Sequence, residues 1–316
     1  MIGQLTGLIG RDFVIGYFLP VAAFIAASLG LCVAFGVDPG GLDLTGRALS
    51  ETEVLVASTL LALASALGGV LLLALNREIV RLMEGYPYRR LNGFQRWRYK
   101  RLSTLVSEIR AEREALSKEG KKLSFERRDK LEKAVFKLAR GFPDEEKWVL
   151  PTALGNAIRA FEVYPRVMYG LDAIEGWSRL LGVVPTDYRT QINAAKTQMD
   201  FWVNSWLLAI LFLPEYAAFA YYGGGVKVLW AALAAVILAF FAASRAKSAA
   251  IQWGDLAKGS FDLFLPELWN KLGFESADFA GKERATWESF GGAIHYRAPR
   301  YLPKRNLPSS DDQTSP

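Results

Sequence analysis

Apolar residues in this chain are gathered into blocks rather than spread periodically. Four blocks are free or nearly free of charge: Phe13 to Val37, Val54 to Leu75, Phe201 to Tyr222 and Val226 to Ser244. A helix needs about 20 residues to cross a hydrocarbon core of about 30 Å, so each block predicts a membrane-spanning helix. The first is long for a cleaved signal and holds Pro20 and bulky aromatics, so it is expected to be retained.

Between the blocks the pattern changes to charged residues with apolar positions at helical spacing. Leu102, Leu105, Val106 and Ile109, then Leu131, Val135, Phe136 and Leu138, predict two amphipathic helices, with "SKEGKKLS" as the turn of a hairpin. Gly141, Phe142 and Pro143 end the second arm. Gly85 and Pro87 stop the second span after a polar extension, "NREIVRLMEGYP". The third span is entered from "TDYRTQINAAKTQMDFWVNSW", and the fourth continues as "RAKSAAIQWGDLAKGSFDLFL" until Pro266. The expected architecture is all-α, a four-span helical membrane protein with both termini cytoplasmic and a helical cytoplasmic domain. Its expected parts are 1–75 with the first two spans, 76–200 as a cytoplasmic helical domain, 201–244 with the last two spans, 245–305 as a cytoplasmic helical C-terminal region, and 306–316 as a disordered tail.

The orientation comes from charge. The connectors Asp38 to Glu53 and Gly223 to Gly225 carry Arg47 and, at the edge, Lys227. The opposite span ends carry Arg77, Arg81, Arg89, Arg90, Arg189, Lys196, Arg245 and Lys247. By the positive-inside rule both termini and the middle segment face the cytoplasm of a multi-pass protein, here expected in a bacterial inner membrane.

The chain is 51% hydrophobic and has a net charge of +6, which reads as a topology signal rather than a nucleic-acid footprint. One cysteine, Cys32 in the first span, and one histidine, His295 near the C-terminus, build neither a disulfide nor a zinc site. No metal, other cofactor or catalytic residue is expected. There is no nucleophile elbow, phosphate-binding loop or dinucleotide fingerprint.

One segment outside the spans concentrates chemistry: "LPTALGNAIRAFEVYPRVMYGLDAIEGWSRLL", residues 150–181. Thr152 starts a helix on which Arg159 and Glu162, then Glu162 and Arg166, are at pairing distance. Tyr164-Pro165 is expected to leave the helix, and Gly170 to turn the chain into a short helix with Asp172 and Glu175. Asn156, Glu162, Tyr169 and Asp172 either line a ligand site or satisfy the backbone of a tight turn.

Within the spans Glu215, beside Pro214, is a carboxylate inside an apolar block, and intramembrane charge marks functional candidates. Pro214 removes a backbone donor and is expected to kink the third span. Asn204, nearer the inner end, fits either the same path or helix–helix adhesion. Ala62, Ala64, Ala66, Gly68 and Gly69 of the second span, with Ala231, Ala232, Ala234 and Ala235 of the fourth, permit close helix contact. The run "YPYRRLNGFQRWRYKR" places Arg89, Arg90, Arg96 and Arg98 among aromatics just inside the membrane, where anionic lipid headgroups fit better than nucleic acid.

Residues Leu150-Pro151-Thr152, Leu154-Gly155-Asn156, Glu162, Tyr164-Pro165, Tyr169-Gly170, Asp172 and Trp177-x-Arg179-Leu180 resemble a segment of a family of bacterial integral membrane proteins. The stretch "GDLAKGSFDLFLPELWNKLG", 254–273, is similar to the segment after the last membrane helix in that family. That resemblance implies membrane location and bacterial origin and brings no activity. The span layout also resembles bestrophin-type channels, whose motifs are not found in this chain.

Two functions fit: a homo-oligomeric ion channel with Glu215 in the path and a cytoplasmic gate or vestibule, or a membrane-anchored scaffold or signalling effector whose cytoplasmic domain binds a protein or small ligand. Four spans where one would anchor favour the channel. The scarcity of polar residues in the spans, and the lack of an inverted repeat, disfavour a secondary transporter.

Overall fold

The computed structural model describes residues 10–34, 50–219, 221, 227–275 and 280–304. The protein is all-α, 86% helical, with no strand among the described residues. Four helices are long and apolar enough to cross a membrane. The connector stretches with Arg47 and with Gly223 to Gly225, and the tail 306–316, lie outside the described residues.

The chain divides into two compact units: residues 1–87 with 193–250, and 88–192 with 251–316. The first, here the apolar unit, begins with α1, which runs as Arg11–Phe13, a π-helical Val14–Phe18 and Leu19–Ala34. Helix α2, Glu51–Glu84, starts at a capping box: the Ser50 hydroxyl accepts from the Glu53 N–H, and the Glu53 carboxylate accepts from the Ser50 N–H at 2.8 Å. Gly85 ends it in the left-handed region at φ 93°.

The third and fourth long helices, α8 (Thr186–Phe219) and α9 (Lys227–Leu272), contribute their residues 193–219 and 227–250 to this unit. Helix α8 stays helical through Pro214 and α9 through Pro266. The stop expected at Pro266 is therefore replaced by one at Leu272. Proline removes one donor, and the flanking helix supplies enough bonds to continue past it.

The outward surface of α2 is apolar, Leu55 for example being 65% exposed. Such a surface suits lipid rather than water. Its inward side carries the close contact the small residues anticipated. A Cβ at Gly69 would lie 3.3 Å from the backbone N of Phe18, and one at Gly68 would lie 2.7 Å from a Val21 methyl.

The second, charged unit holds the remaining helices. Helices α3 (Gly93–Lys118) and α4 (Phe125–Gly141) form the expected hairpin, turned at Gly120 with φ 68° and restarted by the Ser124 cap. Ile109, Val106, Leu123, Leu131 and Ala134 are its core. The segment 150–181 folds as α5 (Ala153–Glu162), α6 (Tyr164–Tyr169) and α7 (Ala173–Leu180). Helix α7 packs with α10 (Ala280–His295) around a core that includes Leu171, Leu180, Phe261, Leu265 and Trp287.

Candidate ion site in the apolar unit

The polar chemistry of the apolar unit is concentrated between α1 and α8. Asp200, 3% exposed, has one carboxylate oxygen, Oδ2, accepting from the Tyr17 hydroxyl at 2.9 Å and from the Lys196 ammonium at 2.7 Å. Its other oxygen, Oδ1, accepts a long bond of 3.4 Å from Asn76 Nδ2 of α2. One turn further along α8, the fully buried Asn204 donates from Nδ2 to the Gly16 carbonyl of the π-helical segment at 2.8 Å. The amide oxygens of Asn76 and Asn204 are buried with no hydrogen-bond partner.

The local sequence explains why these groups meet. Lys196, Asp200 and Asn204 recur every four residues and so share one face of α8. A π-helical turn displaces the helical bonding by one residue and leaves carbonyls oriented for side-chain donors, and such turns recur at functional sites. Thr197 and Asp200 of α8 lie close to Gly16: a Cβ there would sit in ordinary contact, 3.5 Å from the Thr197 methyl.

A second polar contact lies further along the same two helices. Glu215 accepts from the Ser28 hydroxyl at 2.9 Å. The contacts Tyr17 to Asp200 and Ser28 to Glu215 ascend together, so α1 and α8 run in the same direction. At 1.5 Å per residue the two carboxylates stand about 22 Å apart along α8. Between them lies a cavity of about 270 Å³, lined by Pro20, Phe24, Leu208, Phe212 and Ala235 among others, with Ser205 and Tyr216 as its polar side chains. Ser205 spends its hydroxyl on the Phe201 carbonyl at 2.7 Å. Pro214 falls beside Glu215 on the same helix. Two carboxylates flanking an apolar space is the resulting geometry.

In the charged unit the residues 150–181 are parted rather than gathered into one site. Asn156 is fully buried and bonded to backbone on every side: Oδ1 accepts from the Leu150 N–H at 2.7 Å, and Nδ2 donates to the Leu150 and Thr152 carbonyls at 2.9 and 2.8 Å. Tyr169 donates to Asp262 at 2.6 Å beside Tyr164, which donates to the same oxygen at 2.9 Å. Burial, then the Asp262 carboxylate, raises both phenols above their ordinary value. Asp172 caps α7 by accepting from the Ile174 N–H at 2.9 Å.

Glu162 and Asp172 do share one small recess with Trp148, Arg159 and Arg166. There Glu162 pairs with Arg159 at 3.1 Å, and burial raises its carboxyl, Arg159 opposing and Asp172 adding. The expected Glu162–Arg166 pair does not form. The helix breaks at Val163, and Arg166 reaches Asp144 at 4.0 Å instead. Nor does Tyr164-Pro165 leave helical structure, because Pro165 occupies the first turn of α6, where its missing N–H costs nothing.

Among the basic residues, Arg89, Arg90 and Arg96 are exposed, whereas Arg98 lies over the rings of Phe94 and Phe142, each 5.9 Å away. Phe94 and Trp97 stack at 5.9 Å and are both exposed. Cys32 is a partly buried free thiol, and His295 sits 3.2 Å from Glu175. Among the described residues no group of three or more His, Cys, Asp or Glu side chains converges.

No protein-family model, no curated protein and no solved structure matches this chain. Its functional reading therefore comes from its own residues.

Asp200 is the member of the site that the sequence pattern does not reveal. It stands at the edge of an apolar block, four residues after Lys196, where a solvated interfacial charge is the ordinary expectation. Its burial depends on Tyr17 and Asn76, which are 183 and 124 residues away.

Proposed function

We propose that this protein is an ion-conducting protein of a bacterial inner membrane, acting as a homo-oligomer with both termini and the charged unit in the cytoplasm. The observation that carries the reading is the pair of carboxylates, Asp200 and Glu215, on one helix interface with an apolar cavity between them. Carboxylates in a span, Asp200 buried and Glu215 half-buried, are costly unless they are used, and they favour cations. An apolar stretch between two polar stations can close a path by excluding water. Asp200 then serves as the inner station and Glu215 with Ser28 as the outer one. Arg89, Arg90 and Arg96 would meet anionic lipid headgroups at the cytoplasmic surface.

The test is cation flux into proteoliposomes of the purified protein. Glu215→Gln should alter cation selectivity or pH response without altering assembly. An assembled variant with wild-type selectivity and pH response removes Glu215 from the path.

A second reading, a membrane-anchored effector with a ligand-binding or partner-binding cytoplasmic unit, draws support from a cavity of about 830 Å³ lined by Val106, Arg110, Val135, Phe142 and Tyr164. Silent proteoliposomes with intact protein would favour it.

A further inference from the structure

We propose that Asp200, with the amide oxygens of Asn76 and Asn204, forms a monovalent-cation site in which the Lys196 ammonium is a tethered competitor. The proposal deepens the conduction reading by saying where an ion is held. It stands on a deficit of donors. Asp200 Oδ2 is satisfied twice, by Tyr17 and Lys196, whereas Oδ1 receives one bond of 3.4 Å. The amide oxygens of Asn76 and Asn204 receive none, although both are buried. A buried acceptor without a partner is unfavourable, and here two accompany a carboxylate where α8 faces α1 and α2.

Hard oxygen donors of this kind, a carboxylate and amide carbonyls, suit alkali and alkaline-earth cations rather than soft metals. Charge separates those two classes. A single carboxylate neutralises one positive charge, so a monovalent ion leaves the site neutral and a divalent ion leaves it charged in a low-dielectric surrounding.

At present that one charge is supplied by Lys196. It lies one helical turn before Asp200, and its side chain is 40% exposed, against 4% for that of Asp200. The ammonium can thus withdraw to water by rotating its own side chain, with α8 unchanged. A turn of the Asn76 amide about its terminal torsion exchanges Nδ2 for Oδ1 at the carboxylate and completes the set. Asn204 needs no such change, because its Nδ2 is anchored on the Gly16 carbonyl and its Oδ1 is already unpartnered.

Equilibrium binding of radiolabelled sodium and rubidium to the detergent-purified full chain tests this without any need for conduction. Wild type should bind one of these ions saturably. Lys196→Met should bind it about tenfold more tightly, the order expected when a close competing charge is removed from a site of reduced dielectric. Asp200→Asn, shown by circular dichroism and size exclusion to be folded, should bind none. Absence of saturable binding in both wild type and Lys196→Met would overturn the proposal and leave water as the partner of the two amide oxygens. Binding by folded Asp200→Asn equal to wild type would overturn it too. Binding without flux in proteoliposomes would count against conduction alone, and flux without binding against the cation site alone.

Discussion

Single side chains decide whether the polar residues of this protein are structural or chemical. Asn156 is structural: it closes the Leu150–Thr152 turn through three backbone bonds. Asn156→Ala should lower unfolding stability by about 3 kcal/mol, read by denaturant titration in detergent, because several buried backbone groups lose their partner together. Loss of activity at unchanged stability would instead make it part of a site. Glu175 carries a pH dependence. Burial pushes its carboxyl up, but a bond from a protonated Asp172 and the nearby His295 outweigh that and hold it below the ordinary glutamate value, while burial and Glu175 raise Asp172. The two carboxyls share their titration, so Glu175→Gln should bring Asp172 down towards the ordinary aspartate value, read by carboxyl NMR of the folded protein. An Asp172 titration unchanged by the substitution would contradict this. Glu215 was legible as a charge inside an apolar block. Its partner Ser28, like the Tyr17 and Asn76 partners of Asp200, was not, because no local pattern encodes which residues of distant helices meet.

Helices and their ends were more legible than side-chain partners. The four spans follow from apolar block length, and Gly85, Ser124, Thr152 and Gly170 mark ends where capping chemistry predicts them. Prolines misled, since Pro165 begins α6 and Pro266 lies within α9: their effect depends on whether the lost bond falls in a first turn or within a long, well-packed helix. The π-helical turn Val14–Phe18 has no sequence signature, yet it sets where Gly16 meets Asn204 and where Phe18 meets Gly69. Gly69→Leu should force α1 from α2 at that turn and destabilise the apolar unit by about 1–3 kcal/mol, as overpacking does. Thermal unfolding in detergent reads the loss, and an unchanged midpoint would show that α1 and α2 do not approach there.

At the scale of the whole molecule, the proposed function rests on an apolar unit with two carboxylate stations, beside a charged unit whose polar residues mostly serve its own folding. The division into units at residues 87, 192 and 250 falls within or just after long helices rather than at the apolar block ends, because polar extensions continue the spans. The central claim is conduction past Asp200 and Glu215. It is tested most directly by ionic current from purified protein in planar bilayers under a salt gradient at two pH values, wild type beside Asp200→Asn. A unitary cation-selective current with a shifted reversal potential, altered or abolished in the folded variant, is the predicted result. Silence from inserted, intact wild-type protein, or identical current from the variant, would contradict it.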